Sequence, residues 1–528
     1  HPGIPHWIYE QNPDLERTGF GFLEYTIPHP AVNGFYEKFL RLLIPEVAEH
    51  PALLSYCLLN EPIYTDGTET SRKMFQAYLK RKYGTIVVVN ALLRERYETF
   101  NEIPVPDVSK TSHENRAYWY EWCTFNSERL LDFHRWMKAI IREYDIATPI
   151  HTKIQGQLFA GQRFSAWGLD HDAFANLDSI SGNDAFNHYV AEGRYSQKWV
   201  AQNIYYAFQR SVAPFSPIFN SENHLAGDVG IQSIPGKHMR TALWLGAMEG
   251  QGATTLWFWS YSTDAYDGAA FRSRANCVEA LGRTTYDLNR LGYFVGEFLK
   301  QPAEVAILFE NASVIMNQPY LDECEKAFEG TYLLDMPIRF VTDRQIMEGK
   351  LFDYKVIIAP RNTYVLQSTY EGLLDYLDVG GHLLVVGDAF AHDQHGHPRR
   401  VHELFGSPQL PQEAMTRSVG QGEVYYYPDT LSSDQYAEII DRLSDDLGIQ
   451  RAFRIRDAQG GRVPDVFARG VRVRGRFVVT AVNLGREAKR VRIQIGKKTP
   501  RWFDLVANRP AEKVILLEPL EPRMLRQL

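Results

Sequence analysis

Cysteine is scarce in this chain. Cys57, Cys123, Cys277 and Cys324 are the four in 528 residues, and no two are close in sequence. That spacing excludes a zinc knuckle and offers no disulfide framework. Positive charge is not in excess either: the formal net charge is -7 and the pI is near 6.2. Without a Lys/Arg cluster to displace counterions, nucleic acid is excluded as a partner. No uninterrupted apolar run approaches the ~20 residues that cross a bilayer, so the chain reads as soluble, with no membrane partner. The opening His1-Pro2-Gly3-Ile4-Pro5 has neither an initiator Met nor a secretory leader. An upstream segment is therefore expected, and cytoplasmic and periplasmic locations are not distinguished.

What is present is ordinary globular composition, 45% hydrophobic and 23% charged, enough for two to four domains with full cores. Aromatics make up 13%, with 10 Trp, 29 Tyr and 29 Phe; they suit a large core and equally the stacking of sugar rings. From Phe35 to His50 apolar residues recur at helical spacing (Phe35, Phe39, Leu42, Leu43, Val47), and a short buried strand follows up to Leu59. A helix-rich insertion comes next, with helices over 71–83 and about 114–144. Strands over 149–155, 177–185, 217–222 and 253–261 then alternate with helices near 193–212 and 239–249, which implies a parallel sheet with polar residues at the strand ends. Past Pro302 a second α/β unit has strands at 305–309, 338–342, 355–359 and 382–386. Its Gly387-Asp388 turn lacks the Cys that an amidotransferase-like nucleophile elbow needs, so a structural or oligomeric role is expected. From about Pro408 a period of two (Arg472-Val473-Arg474, Phe477 to Thr480, Val491 to Ile495) predicts an antiparallel β domain.

Two glutamates end apolar strands, Glu61 in Asn60-Glu61-Pro62 and Glu222 in Asn220-Ser221-Glu222-Asn223. A single glutamate ordinarily caps a helix or sits on the surface. Two at strand ends, each beside Asn, fit glycosidic bond cleavage, in which one carboxylic acid protonates the leaving oxygen and one carboxylate attacks the anomeric carbon. On a (β/α)8 barrel such groups come from the C-terminal ends of different strands. Asn223 and His224 are candidate donors around Glu222, and Asn60 a candidate partner for a sugar hydroxyl. Asn183 and Asp184 end another strand, where they bind hydroxyls or cap the next helix. Trp257 and Trp259 share one face of a strand, as a stacking floor or as core. His151 and Lys153 are weaker candidates.

Several segments resemble glycoside hydrolases of clan A, and family 42 β-galactosidases above all, over about 450 residues. Glu49-His50-Pro51-Ala52 with Asn60-Glu61 is similar to the fourth-strand signature. Tyr78 to Ile86, with Asn90, Tyr97 and Ile103-Pro104, resembles the helix and loop that follow it. Thr148 to Lys153, Leu177 to Asp184, Pro235-Gly236 with Arg240 and Trp244, and Trp257-Phe258-Trp259 resemble the later barrel elements. The resemblance implies a TIM barrel over 1–301 of which strands four to eight are visible, an α/β trimerisation-like domain over 302–407 and a small β domain over 408–528. It also implies Glu61 as general acid/base, Glu222 as nucleophile, His6 and Trp7 as walls of the sugar site, and a homotrimer.

Three features depart from the family. Pro62 stands where an aromatic is usual, and the zinc-binding cysteine cluster is absent, so no metal and no cofactor are expected. Only about 50 residues precede the fourth strand, whereas three barrel units occupy roughly 90; an N-terminal segment carrying strands one to three is expected outside this sequence. The expected function is a retaining exo-β-glycosidase, a β-galactosidase acting on oligosaccharides or polysaccharides. The alternatives are a β-mannosidase, an agarase-type polysaccharide hydrolase, or an inert carbohydrate-binding scaffold.

Overall fold

The computed structural model describes residues 4–17, 22–156, 163–230, 232–259 and 268–528. Five short strands organise the first half: Tyr56–Asn60 (β1), Ile150–Lys153 (β2), Ser181–Asn183 (β3), Ile218–His224 (β4) and Gln251–Trp257 (β5). β1 pairs with β2, β3 with β4, and β4 with β5, all parallel. A parallel bridge between Ile154 and Asn183 joins the two groups. Neighbours in sequence are thus neighbours in space, with helices between them, which is the order of a (β/α) barrel wall. The expected strand over 253–261 begins two residues earlier and ends at Trp257; its last two residues lie outside the described ones.

Local chemistry sets the helix boundaries. Pro30–Val47 opens with Pro30, whose missing N–H costs nothing in a first turn, and His29, whose ring accepts from the Ala31 N–H at 3.2 Å. This helix corrects the periodicity reading. The face it buries is Val32, Tyr36, Leu40 and Ile44, while Phe39, Leu42 and Leu43 are exposed. The helix is apolar on two sides, so spacing alone chose the wrong one. Thr68, Thr85 and Asn115 cap the insertion helices Glu69–Tyr83, Ile86–Leu93 and Arg116–Tyr144 by accepting backbone N–H bonds.

The second unit is a six-stranded sheet in the order 415–419, 422–427, 382–386, 356–360, 305–309, 339–342. Its first pair is antiparallel and the other pairs are parallel. The expected boundary at 407/408 falls inside this unit. The strands Met415–Val419 and Gly422–Tyr427, which lie within the span expected for the β domain, add instead to the α/β sheet through His382–Val386. The third unit has a five-stranded sheet from Val466–Val473 to Arg523–Gln527 and a three-stranded one, all antiparallel. It is tied to the barrel by Trp244, whose indole N–H donates to Thr480 Oγ1 at 2.9 Å, and by Thr241, whose hydroxyl donates to the Leu520 carbonyl at 2.7 Å.

The β2–β3 contact is tight enough to demand glycine. A Cβ on Gly182 would stand 2.3 Å from the Thr152 carbonyl oxygen and 2.9 Å from the His151 ring. Backbone and a buried ring cannot retreat as a flexible side chain would. Gly182→Ala is expected to lower the unfolding free energy by about 1–3 kcal/mol, the cost of overpacking, read from urea denaturation; an unchanged midpoint would contradict this packing.

Candidate active site

β1, β2, β3 and β4 deliver four charged side chains to one cleft of about 700 Å³, lined by Asn60, Glu61, Gln155, Asp184, Glu222 and Trp257 among others. Lys153, at the end of β2, is their hub. Its ammonium donates to Glu61 Oε1 at 3.0 Å and, at shorter range, to Glu222 Oε2, with Asp184 Oδ2 3.9 Å away. The lysine side chain is 4% exposed and the two glutamates 18% and 20%. At that depth a cation stays charged because its carboxylates hold it so, and each carboxylate depends on the cation in turn.

The backbone fixes these positions. Glu61 has φ +44°, a left-handed conformation that non-glycine residues rarely adopt. Its N–H donates to the Lys153 carbonyl at 2.7 Å, which continues the β1–β2 pairing past the strand end. The second Glu61 oxygen accepts from Gln155 Nε2 at 2.9 Å. Glu222 is held from below by Asn220, whose Oδ1 accepts from the Glu222 N–H at 3.2 Å while its amide donates to Ala185 O and Tyr206 Oη. Above it, the His224 ring lies 3.2 Å from Glu222 Oε1 and 2.9 Å from Asp228 Oδ1, and stacks on Trp257 at 5.6 Å.

Proton affinities follow from these contacts. Burial alone raises Glu222, but hydrogen bonds from His224 and Lys153 outweigh it and hold the carboxyl below its ordinary value. Burial alone lowers His224, and the Glu222 and Asp228 carboxylates reverse that. Asp184 has too little help: burial, and then the neighbouring Glu61 charge, push it up to about 7. One ammonium thus faces three carboxyl groups, and the group of three keeps a proton near neutral pH on Asp184, beside Glu61.

The model of glycoside hydrolase family 42, described as β-galactosidase, matches residues 2–276. The chain belongs to this family. A β-galactosidase of Geobacillus kaustophilus is 24% identical over 416 residues, covering 72% of this chain, and the matched chain spans 59% of that relative's length. Among solved structures, the exo-carrageenase of family 42 from Bacteroides ovatus superposes with a TM-score of 0.85 at 21% identity, covering 100% of this chain and 74% of its own. A catalytic mutant of Gan42B, a family 42 β-galactosidase from G. stearothermophilus, gives 0.81 at 17% identity, covering 99% and 86%. The fold is accordingly a TIM barrel with additional domains, and the five described strands follow one another along its wall.

Against this frame of family 42, Asn60, Glu61, Asp184, Glu222, His224 and Trp257 meet in the cleft. Five other expected site residues do not. Asn183 is buried, donating to Gln209 Oε1 at 2.9 Å and accepting from the Ala185 N–H at 3.0 Å. Asn223 is buried too and donates to Thr254 Oγ1 at 3.1 Å. In both, strand alternation turns the side chain into the wall. His6 and Trp7 lie on a short helix, His6–Gln11, where His6 faces Glu10 and the half-exposed Trp7 packs edge-on against Phe35. Trp259 is half-exposed and does not line the cleft. His151 bonds Ser55 at 3.0 Å and also lies away from it.

Sequence reading underrated Lys153 and missed Gln155, although strand alternation puts the two on one face. Phe22, Phe186, His188, Lys198 and Asp228 also line the cleft, on loops that carry no periodic signal. Away from the cleft, Asp393, His395 and His397 bring donor atoms within 4.8 Å of one another, a set able to hold a metal ion. There His395 bonds buried Glu121 at 2.9 Å and His397 bonds Asp393 at 3.1 Å, so the groups already satisfy each other.

Lys153→Met would leave two carboxylates buried beside a third without their cation. The expected loss is about 3–5 kcal/mol near pH 8. Glu222, with its lowered proton affinity, contributes stability above its ordinary carboxyl range and loses it as pH falls. The difference between variant and wild type should therefore shrink toward pH 4; a pH-independent difference in chemical denaturation would contradict the shared ion pair.

Proposed function

We propose that the protein is a retaining exo-β-glycosidase that cleaves terminal β-galactosides, with Glu222 as nucleophile and Glu61 as general acid/base. The observation that carries this reading is the ammonium shared by both glutamates. Two carboxylate oxygens bonded to one nitrogen lie no more than about 6 Å apart, the sum of two N–O contacts of about 3 Å. That supports the ~5–5.5 Å spacing of retaining enzymes over the ~6.5–9.5 Å of inverting ones.

In the first step the ionised Glu222 attacks the anomeric carbon while Glu61 gives its proton to the departing oxygen. In the second, Glu61 takes a proton from water, and that water displaces the sugar from its ester with Glu222. Lys153 and His224 keep Glu222 ionised between turnovers, and Asp184 stores a proton next to Glu61. Trp257, fixed against His224, offers its face to the apolar side of the galactose ring, and Asn60 and Gln155 can reach hydroxyls.

A second reading keeps the chemistry and enlarges the substrate. The likeness to an exo-carrageenase over the whole chain favours a terminal galactose residue of a polysaccharide. An inert scaffold is disfavoured, because both carboxylates stand with their hydrogen-bonding donors in place.

A panel of aryl β-glycosides assayed with wild type, Glu61→Gln and Glu222→Gln tests this reading. Wild type should prefer the galactoside, and each variant should lose roughly 10²–10⁴-fold in kcat/KM while keeping wild-type circular dichroism. Activity retained in either variant would refute the assignment.

A further inference from the structure

The cleft contains two lysines, and only one is spoken for. Lys153 is saturated by Glu61 and Glu222. Lys198 lines the same cleft, is exposed, and has no carboxylate within ion-pair distance among the described residues; its ammonium lies 6.0 Å from the Phe186 ring. Beside it stands His188, whose carbonyl accepts the Lys198 backbone N–H at 2.9 Å. Among the described residues, the Nε2 atom of His188 is buried without a hydrogen-bond partner. Burial, then the neighbouring His224 and Lys198, push this imidazole down to about 4, so near neutral pH it is uncharged and offers one N–H.

A neutral sugar needs no free ammonium at this wall. Hydroxyls are met by groups such as Asn60 and Gln155, whereas an unpaired lysine next to an unpaired imidazole is matched to a fixed negative charge. Lys198 also occupies the N-terminal cap of the helix Trp199–Val212, which has no side-chain cap, so the helix dipole adds positive potential on the same side. Glu61 and Glu222 share Lys153, which offsets one of their two charges, and Asp228 pairs with His224; none of these carboxylates is within ion-pair distance of Lys198.

The position relates this wall to the reaction centre. His188 and Lys198 line the same cleft as Glu222, His224 and Trp257, and His224 touches Glu222 and stacks on Trp257. A group held by Lys198 and His188 is therefore a substituent of the sugar near the nucleophile, not a distant part of a polymer. We propose that Lys198 and His188 form a subsite for an anionic substituent, a sulfate ester or a carboxylate, on the galactose-type ring bound in the cleft. This rests on the reading of the cleft as a glycosidase site and names the substrate class within it.

Binding and turnover test the two readings separately. Calorimetry with galactose, a galactose sulfate and galacturonic acid, on wild type, Lys198→Met and Lys198→Arg, measures the subsite without chemistry. One of the two anionic sugars should bind wild type at least about tenfold more tightly than galactose, the scale of one charge-assisted contact. Which of the two does so distinguishes sulfate from carboxylate. Lys198→Met should abolish that preference and Lys198→Arg retain it. In parallel, Lys198→Met should hydrolyse a neutral aryl β-galactoside within about threefold of wild type, because an exposed lysine without partners takes no part in the ion pairs around Glu222.

An anion preference lost in Lys198→Met, with no aryl galactoside cleaved by wild type, would keep the subsite and sink the glycosidase reading. Hydrolysis of the neutral galactoside with no anion preference, or with a preference that Lys198→Met leaves intact, would overturn the subsite. Failure of every sugar to bind would overturn both.

Discussion

One buried ammonium holds the centre of this molecule together. Lys153 takes two glutamates from strands that are not adjacent, β1 and β4, and places their oxygens around a single nitrogen. Three charges of this kind would be costly in a protein interior unless geometry and hydrogen bonds were complete, so the surrounding backbone is shaped to complete them. Glu61 accepts a left-handed backbone, Gln155 covers its second oxygen, and Asn220 and His224 brace Glu222 from two sides. The absence of a side chain at Gly182 lets β2 and β3 approach closely enough for the arrangement to close.

The electrostatics are unequal by construction. Glu222 has donors on both oxygens, and its proton affinity falls despite burial. Asp184 has one backbone donor, from Gly156, and a distant ammonium, and its proton affinity rises. The lowered proton affinity of Glu222 is what a nucleophilic carboxylate requires, and Asp184 holds its proton more tightly beside Glu61. Membership in family 42 rests on sequence similarity and the state of Glu222 on charge and distance, and the two are independent observations.

Much of this was legible in the residues. Glu61 and Glu222 stood out because each ends an apolar strand beside Asn, and the strand spacing anticipated a parallel barrel wall. The α/β unit was legible too, since its strands are continuous apolar runs buried on both faces, such as Val305–Phe309 and His382–Val386. What failed did so for physical reasons. Asn183 and Asn223 are polar residues at strand ends, but a one-residue step along a strand reverses the side-chain direction and turned both into the wall. Met415–Val419 and Gly422–Tyr427 alternate like edge strands of a β domain, because they are an antiparallel edge added to a parallel sheet. Lys198 and His188 come from loops, where position is set by tertiary contacts and not by any period.

The central claim is that Glu222 is the nucleophile and Glu61 its proton-transfer partner. Removing the Glu222 side chain leaves a void that a small anion can enter, so the stereochemistry of a rescued product reports which face the missing carboxylate used. With an activated aryl β-galactoside and azide, Glu222→Gly is predicted to yield the α-galactosyl azide, and Glu61→Gly the β-galactosyl azide, as read by proton NMR of the anomeric coupling. A β-galactosyl azide from Glu222→Gly, or full activity of that variant without azide, would contradict the account.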